Sequence, residues 1–131
     1  MKRIITDILM PAIVFVGIGA IPVFLVFMMV MQSDIRAICA NAKIQYGESC
    51  VPSLMKLVED ESAPYRQRNK AIWALGQLRE QKALPVLEEL YSGEIPEKES
   101  LDGGISQYEL EKAIRWINDG NVTSWMYTGI K

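Results

Sequence analysis

Apolar positions along this chain fall into two regimes. From Ile8 to Met31, 24 residues pass with no charge and no Asn, Gln, Ser or Thr. Beyond Gln32 the apolar residues recur every three or four positions among polar ones, the period of amphipathic helices. The first regime predicts a membrane-spanning helix. At about 1.5 Å per residue it reaches roughly 36 Å, enough to cross a hydrocarbon core of about 30 Å. Pro11 and Pro22 would break a soluble helix. A membrane helix tolerates them as kinks. A cleaved signal peptide has an apolar core of only about 7–15 residues and a small-x-small cut site. Met29-Val30-Met31-Gln32-Ser33 lacks that pattern, and Ala40-Asn41-Ala42 lies too far downstream. The stretch therefore reads as an uncleaved, single-pass anchor in a plasma or inner membrane, touching lipid through residues Ile8 to Met31. No small-xxx-small spacing marks it for close helix pairing.

The second regime predicts five helical segments. Ile35, Ile38, Cys39 and Ala42 form the first stripe, which Gly47 terminates. A helix starting near Pro52 carries Leu54, Leu57 and Val58, and Glu59 to Pro64 end it. A third, from about Pro64 to Glu80, turns Ala71, Ala74, Leu75 and Leu78 inward. A fourth begins near Pro85 with Leu84, Leu87 and Leu90. Residues Tyr91 to Gly104 hold one Pro and three Gly and read as a loop. A fifth helix, Ser106 to Asn118, buries Leu110, Ala113, Ile114 and Ile117 before Gly120 stops it. No stretch alternates with period two, so the fold class is all-α.

The segments repeat in pairs. Val51-Pro-Ser-Leu-Met-Lys-Leu57 matches Leu84-Pro-Val-Leu-Glu-Glu-Leu90 at an offset of 33 positions. Lys70-Ala-Ile72 matches Lys112-Ala-Ile114 at an offset of 42, and the Tyr91–Gly104 loop accommodates the difference. Paired helices with a period in the thirties are the mark of an α-solenoid. On Val51 to Asp60, on Arg68-Asn-Lys-Ala-Ile-Trp-Ala-Leu-Gly76 and on Ala83 to Leu90, the chain resembles the HEAT-repeat family, in particular its short bacterial members. Gln67 stands where the family carries an aliphatic residue, and Trp116-Ile117-Asn118 replaces Ala-Leu-Gly in the second repeat.

Taken with the apolar run, that resemblance divides the chain into an anchor (residues 1–32), a connecting or capping helix (33–50), a solenoid of about two helical hairpins (51–120) and a C-terminal tail (121–131). The tail is expected to cover the solenoid's end or to meet the lipid interface through Trp125 and Tyr127. Second helices line the concave surface of such solenoids, which nominates Lys70, Trp73, Gln77, Lys112, Arg115 and Trp116 as partner-binding residues. Trp and Arg are enriched in binding hot spots. Packing against loops or the neighbouring repeat is the other account of the two tryptophans.

Charge and composition narrow the function classes. The chain carries 14 Lys/Arg against 16 Asp/Glu and has no histidine. The portion from Gln32 onward is acidic, with 12 basic and 15 acidic residues. No basic face for nucleic acid is evident, and the commonest general base and metal ligand is missing. No Gly-rich phosphate loop or nucleophile elbow occurs. The acidic runs Glu59-Asp60-Glu61 and Glu94 to Asp102 lack calcium-loop spacing and read as solvated turns. No catalytic residue, metal site or cofactor is assigned. Asn121-Val122-Thr123 matches a glycosylation sequon, a pattern that chance supplies often. Cys39 and Cys50, eleven positions apart, suit either a disulfide closing a short loop or two buried thiols. Lys2, Arg3 and Asp7 before the span, and Asp34, Arg36 and Lys43 after it, nearly balance. They tilt slightly toward a cytoplasmic N-terminus with the domain outside.

The expected function is a non-catalytic, membrane-anchored interaction module or scaffold with a protein partner. Two other readings stand beside it. One is an accessory subunit of a membrane complex, bound through its transmembrane helix. The other is an enzyme like the phycobilin lyases, some of which carry similar repeats.

Overall fold

A computed structural model describes residues 8–130. Lys2, Arg3 and Asp7, which enter the orientation reading, lie outside the described residues. The chain divides into two compact units, with the boundary between Asp34 and Ile35. Among the described residues the regular structure is helical, with no strand.

Helix α1 spans Met10–Tyr46, 37 residues, and continues through Pro22. Pro11 falls in its first turn, which directly follows the π-helical Ile8 and Leu9. In the first unit, sixteen large apolar side chains between Ile8 and Val30 are each more than half exposed, on every side of the helix. Its most apolar stretch of 18 residues has a mean hydropathy of 2.8, and the helix is long and apolar enough to cross a membrane.

The second unit takes the last turns of α1, where Ile35, Cys39 and Ala42 are buried at helical spacing. Gly47 ends the helix in a left-handed conformation (φ 74°), its N–H bonded to the Lys43 carbonyl. Four further α-helices follow: α2 (Cys50–Glu59), α3 (Tyr65–Gln77), α4 (Leu84–Leu90) and α5 (Gln107–Asp119). Single 3₁₀ turns precede α4 (Gln81–Ala83) and close the chain (Ser124–Tyr127). Helix α2 packs on α3, α4 packs on α5, and α3 packs on α5. Two helical hairpins thus stack through their second helices.

The core is the set the helical period selects, with additions. Leu54, Leu57, Val58, Ala71, Ala74, Leu75, Leu78, Leu87, Leu110, Ala113 and Ile117 are buried. Ile38, Leu84, Leu90 and Ile114 are only half-buried. Ile72, which the helical stripes left out, is fully buried, and so is Tyr127 of the tail. Ser53, Arg68 and Asn69 are buried polar residues.

Helix α3 stops earlier than Glu80 for a local reason. The Glu80 N–H bonds to the Leu75 carbonyl (3.2 Å) and the Arg79 N–H to Gly76 (3.1 Å), the two bonds of a Schellman cap. Arg79 holds its left-handed position (φ 48°), where glycine is usual. Gly76 therefore ends nothing. It sits inside α3, for a packing reason given below.

Candidate functional site

Helices α3 and α5 run parallel, and polar contacts fix their register. Asn69 Oδ1 accepts from the Ser106 N–H (2.9 Å), and Asn69 Nδ2 donates to the carbonyls of Leu101 (3.0 Å) and Gly104 (2.8 Å). About two turns further on, Gly76 lies against Ala113. A Cβ added at Gly76 would come 2.8 Å from both the Cα and the Cβ of Ala113, and 3.3 Å from Trp116 Cε3. Near the helix ends, Gln81 Nε2 donates to the Ile117 carbonyl (2.9 Å).

This close crossing leaves an outer face bearing half-buried Trp73, Glu109, Lys112 and Trp116, with Lys70 and Arg115 exposed. Tyr108 is 51% exposed. Tyr108, Lys112 and Trp116 follow one another at four-residue spacing on α5, so their side chains stack along one stripe. The Lys112 ammonium lies 4.8 Å from the Tyr108 ring centre and 5.3 Å from that of Trp116. It donates to Glu109 Oε1 at 2.6 Å, and both side chains of this pair are only 16% exposed. The second carboxylate oxygen, Glu109 Oε2, is buried and accepts no hydrogen bond. Glu109 is placed by a helix cap: its N–H donates to Ser106 Oγ (3.1 Å) at the N-terminus of α5.

Of the residues nominated from sequence, Lys70 and Arg115 are exposed and Trp73, Lys112 and Trp116 half-buried, Lys70 and Trp73 on α3 and the others on α5. Lys112 is not a free cation there, because Glu109 and two rings hold it. Gln77 corrects the expectation. It is 3% exposed, and its Oε1 accepts from Asn121 Nδ2 (2.8 Å) and from the Thr123 hydroxyl (2.9 Å). It fastens the C-terminal tail instead of facing a partner. Tyr108 and Glu109 went unselected, although Ser106-Gln-Tyr-Glu109 is a capping-box sequence and Tyr108 shares the spacing of Lys112 and Trp116.

The other candidate chemistry is structural. Glu99 caps α5: its carboxylate accepts from the Gln107 N–H (2.7 Å), the Ser106 hydroxyl (2.5 Å) and the Tyr108 N–H (3.2 Å). Partial burial raises its pKa, but these three donors outweigh burial and hold it below the ordinary range. Asp102 forms a two-pronged pair with Arg66 (2.7 and 2.8 Å), which lowers its pKa. Asp60 is held low by the Ser62 hydroxyl first, then by the Tyr46 hydroxyl. Within the acidic runs, Asp60, Glu99 and Asp102 thus serve as caps and loop ties. Among the described residues, no three of His, Cys, Asp or Glu gather as a metal site.

The sequon is also consumed locally. Asn121 Oδ1 accepts from the Thr123 N–H (2.8 Å) while its amide holds Gln77. The tail then seats Met126 and Tyr127 inside the domain and leaves Trp125 65% exposed. Cys39 and Cys50, with Cα atoms 4.9 Å apart and both 4% exposed, are joined by a disulfide between the last part of α1 and the first turn of α2.

A family model described as HEAT repeats matches residues 32–97. The matched stretch takes in the end of α1 as well as α2, α3 and α4, so it begins well before Val51. No curated protein and no solved structure matches the chain.

Proposed function

Since the chain belongs to the HEAT-repeat family, whose repeats are protein-interaction and scaffolding units, we propose that it is a membrane-tethered, non-catalytic docking module. Its α3–α5 face would hold a protein partner beside the bilayer, through Trp73, Trp116, Lys70 and Arg115.

The observation that carries this reading is the change of character along α1. Up to Val30 its apolar side chains are exposed all round; from Ile35 a single stripe is buried. Covering a Val, Leu, Ile or Phe side chain is worth about 1.5–3 kcal/mol. Leaving sixteen large apolar side chains in water would therefore cost tens of kcal/mol. That exceeds the whole stability of a typical domain, about 5–15 kcal/mol. Lipid is the environment that removes the cost. Tethering also raises the effective concentration of the docking face near membrane partners, so a modest interface suffices.

The bridge between Cys39 and Cys50 supports an orientation with the domain on the oxidising side and the N-terminus in the cytoplasm. Protease accessibility of the domain in intact cells tests it: cleavage without permeabilisation is expected, and full protection would reverse the assignment.

The docking reading is tested by cross-linking and detergent pull-down of the tagged full chain, beside a Trp73→Ala, Arg115→Ala variant. Recovery of a partner by the native chain and its loss by the variant is expected. Recovery of the chain alone under several conditions would sink the idea. Replacing residues 8–31 with an unrelated anchor separates docking by the domain from binding by the helix.

A further inference from the structure

The Lys112 site on α5 is built like a receptor whose occupant comes from its own chain. An ammonium sits over two aromatic rings and against a carboxylate, yet only one carboxylate oxygen is used. The other, Glu109 Oε2, is buried and lacks a donor. A desolvated, unpaired carboxylate oxygen is costly, and more so for a charged group than for a neutral one. The site therefore has room in its chemistry for one more donor than Lys112 supplies.

We propose that Tyr108, Glu109 and Trp116 form a receptor for an arginine side chain of the docked partner, with Lys112 as the internal stand-in that the arginine displaces. This rests on the docking reading above and names the partner's chemistry. A guanidinium presents two parallel N–H donors and engages both oxygens of a carboxylate at once. It also stacks flat on aromatic rings, which an ammonium cannot do. A quaternary ammonium, such as the choline head of a lipid, fits an aromatic cage but has no donor to give Oε2. The domain's acidic balance favours approach of a cationic group. Lys70 and Arg115, exposed on the same face, disfavour a run of positive charge. The occupant is thus a single arginine flanked by acidic residues.

The test uses the full chain in detergent micelles, with tryptophan indole N–H resonances as reporters. The probes are a capped Glu-Arg-Glu tripeptide, its Glu-Lys-Glu counterpart and choline. The arginine peptide is expected to shift the Trp116 resonance and to bind about tenfold more tightly than either alternative. Lys112→Met, which removes the competitor, is expected to tighten it further. Glu109→Gln is expected to weaken it by about tenfold. Tyr108→Ala, on the exposed rim and of little consequence for folding, is expected to weaken it about threefold. Choline binding as tightly as the arginine peptide, or an affinity indifferent to both Glu109→Gln and Tyr108→Ala, overturns the proposal. If the arginine peptide is silent while the pull-down still loses its partner on Trp73→Ala, Arg115→Ala, the receptor falls and docking stands. If the peptide binds and no partner is recovered, the receptor stands and docking falls.

Discussion

Gly76 and Ala113 hold the two repeats in close contact: a Cβ on Gly76 would overlap the Ala113 backbone and side chain, each 2.8 Å away. Neither contact is the far end of a flexible side chain, so the helices themselves would have to separate. Gly76→Ala is therefore expected to destabilise the domain by about 1–3 kcal/mol, although alanine is the better helix former. Urea unfolding followed by circular dichroism measures it. Ala113→Gly in the same chain should recover part of the loss, and a simple additive loss would exclude the contact as the cause.

Asn69 ties the inserted loop to the first repeat with three hydrogen bonds from a side chain that is 2% exposed. Asn69→Ala leaves buried backbone groups unsatisfied, each at about 1–3 kcal/mol. Partial escape to water will temper the sum. Hydrogen exchange should quicken across residues 99–106 before it changes in α2. Unchanged exchange in that loop would refute the role.

Glu99 makes the domain's stability sensitive to acid. Its folded pKa lies below the ordinary 4.5, so the folded state favours the ionised form. The contribution is present above the unfolded value and disappears as pH falls through the folded value. Thermal midpoints of the native chain should therefore decline below about pH 4.5 more steeply than those of Glu99→Gln. The variant should also start from a lower midpoint at neutral pH, since an amide is a poorer acceptor for three donors. Parallel curves would contradict the assignment.

The Cys39–Cys50 bridge closes a short loop between the end of α1 and α2. Its removal by Cys39→Ser with Cys50→Ser is expected to cost about 2–3 kcal/mol. Thiol counting after denaturation and a mobility shift between reducing and non-reducing gels report the bond directly. Two free thiols in protein purified without reductant would remove it.

Arg79 occupies a left-handed position that costs a non-glycine residue about 1–2 kcal/mol. Glycine there also frees the unfolded chain, which offsets part of the gain. Arg79→Gly is expected to raise stability by up to about 1 kcal/mol. A lower melting temperature would show that the Arg79 guanidinium, packed beside Gly120, matters more than the backbone.

What the sequence determined is what repeats with a short period. The uncharged run from Ile8 to Met31 defines the apolar helix by itself, because hydropathy adds along a segment whatever its surroundings. Helical spacing selected Leu54, Leu75 and Leu110 as core, because one face of each helix must leave water. The paired segments gave the family, and the family match agrees. The tertiary structure alone decided the fate of polar residues, whose partners lie far along the chain. Gln77 looked available on its helix; 44 positions away Asn121 claims it. Asn69 carries no local sign of its role and holds a loop 32 to 37 positions on. Nothing beside Gly76 in the chain announces that Ala113 packs against it. Hydrogen bonds and close contacts need particular atoms at particular distances, and a single strand of letters carries spacing along the chain but not across it.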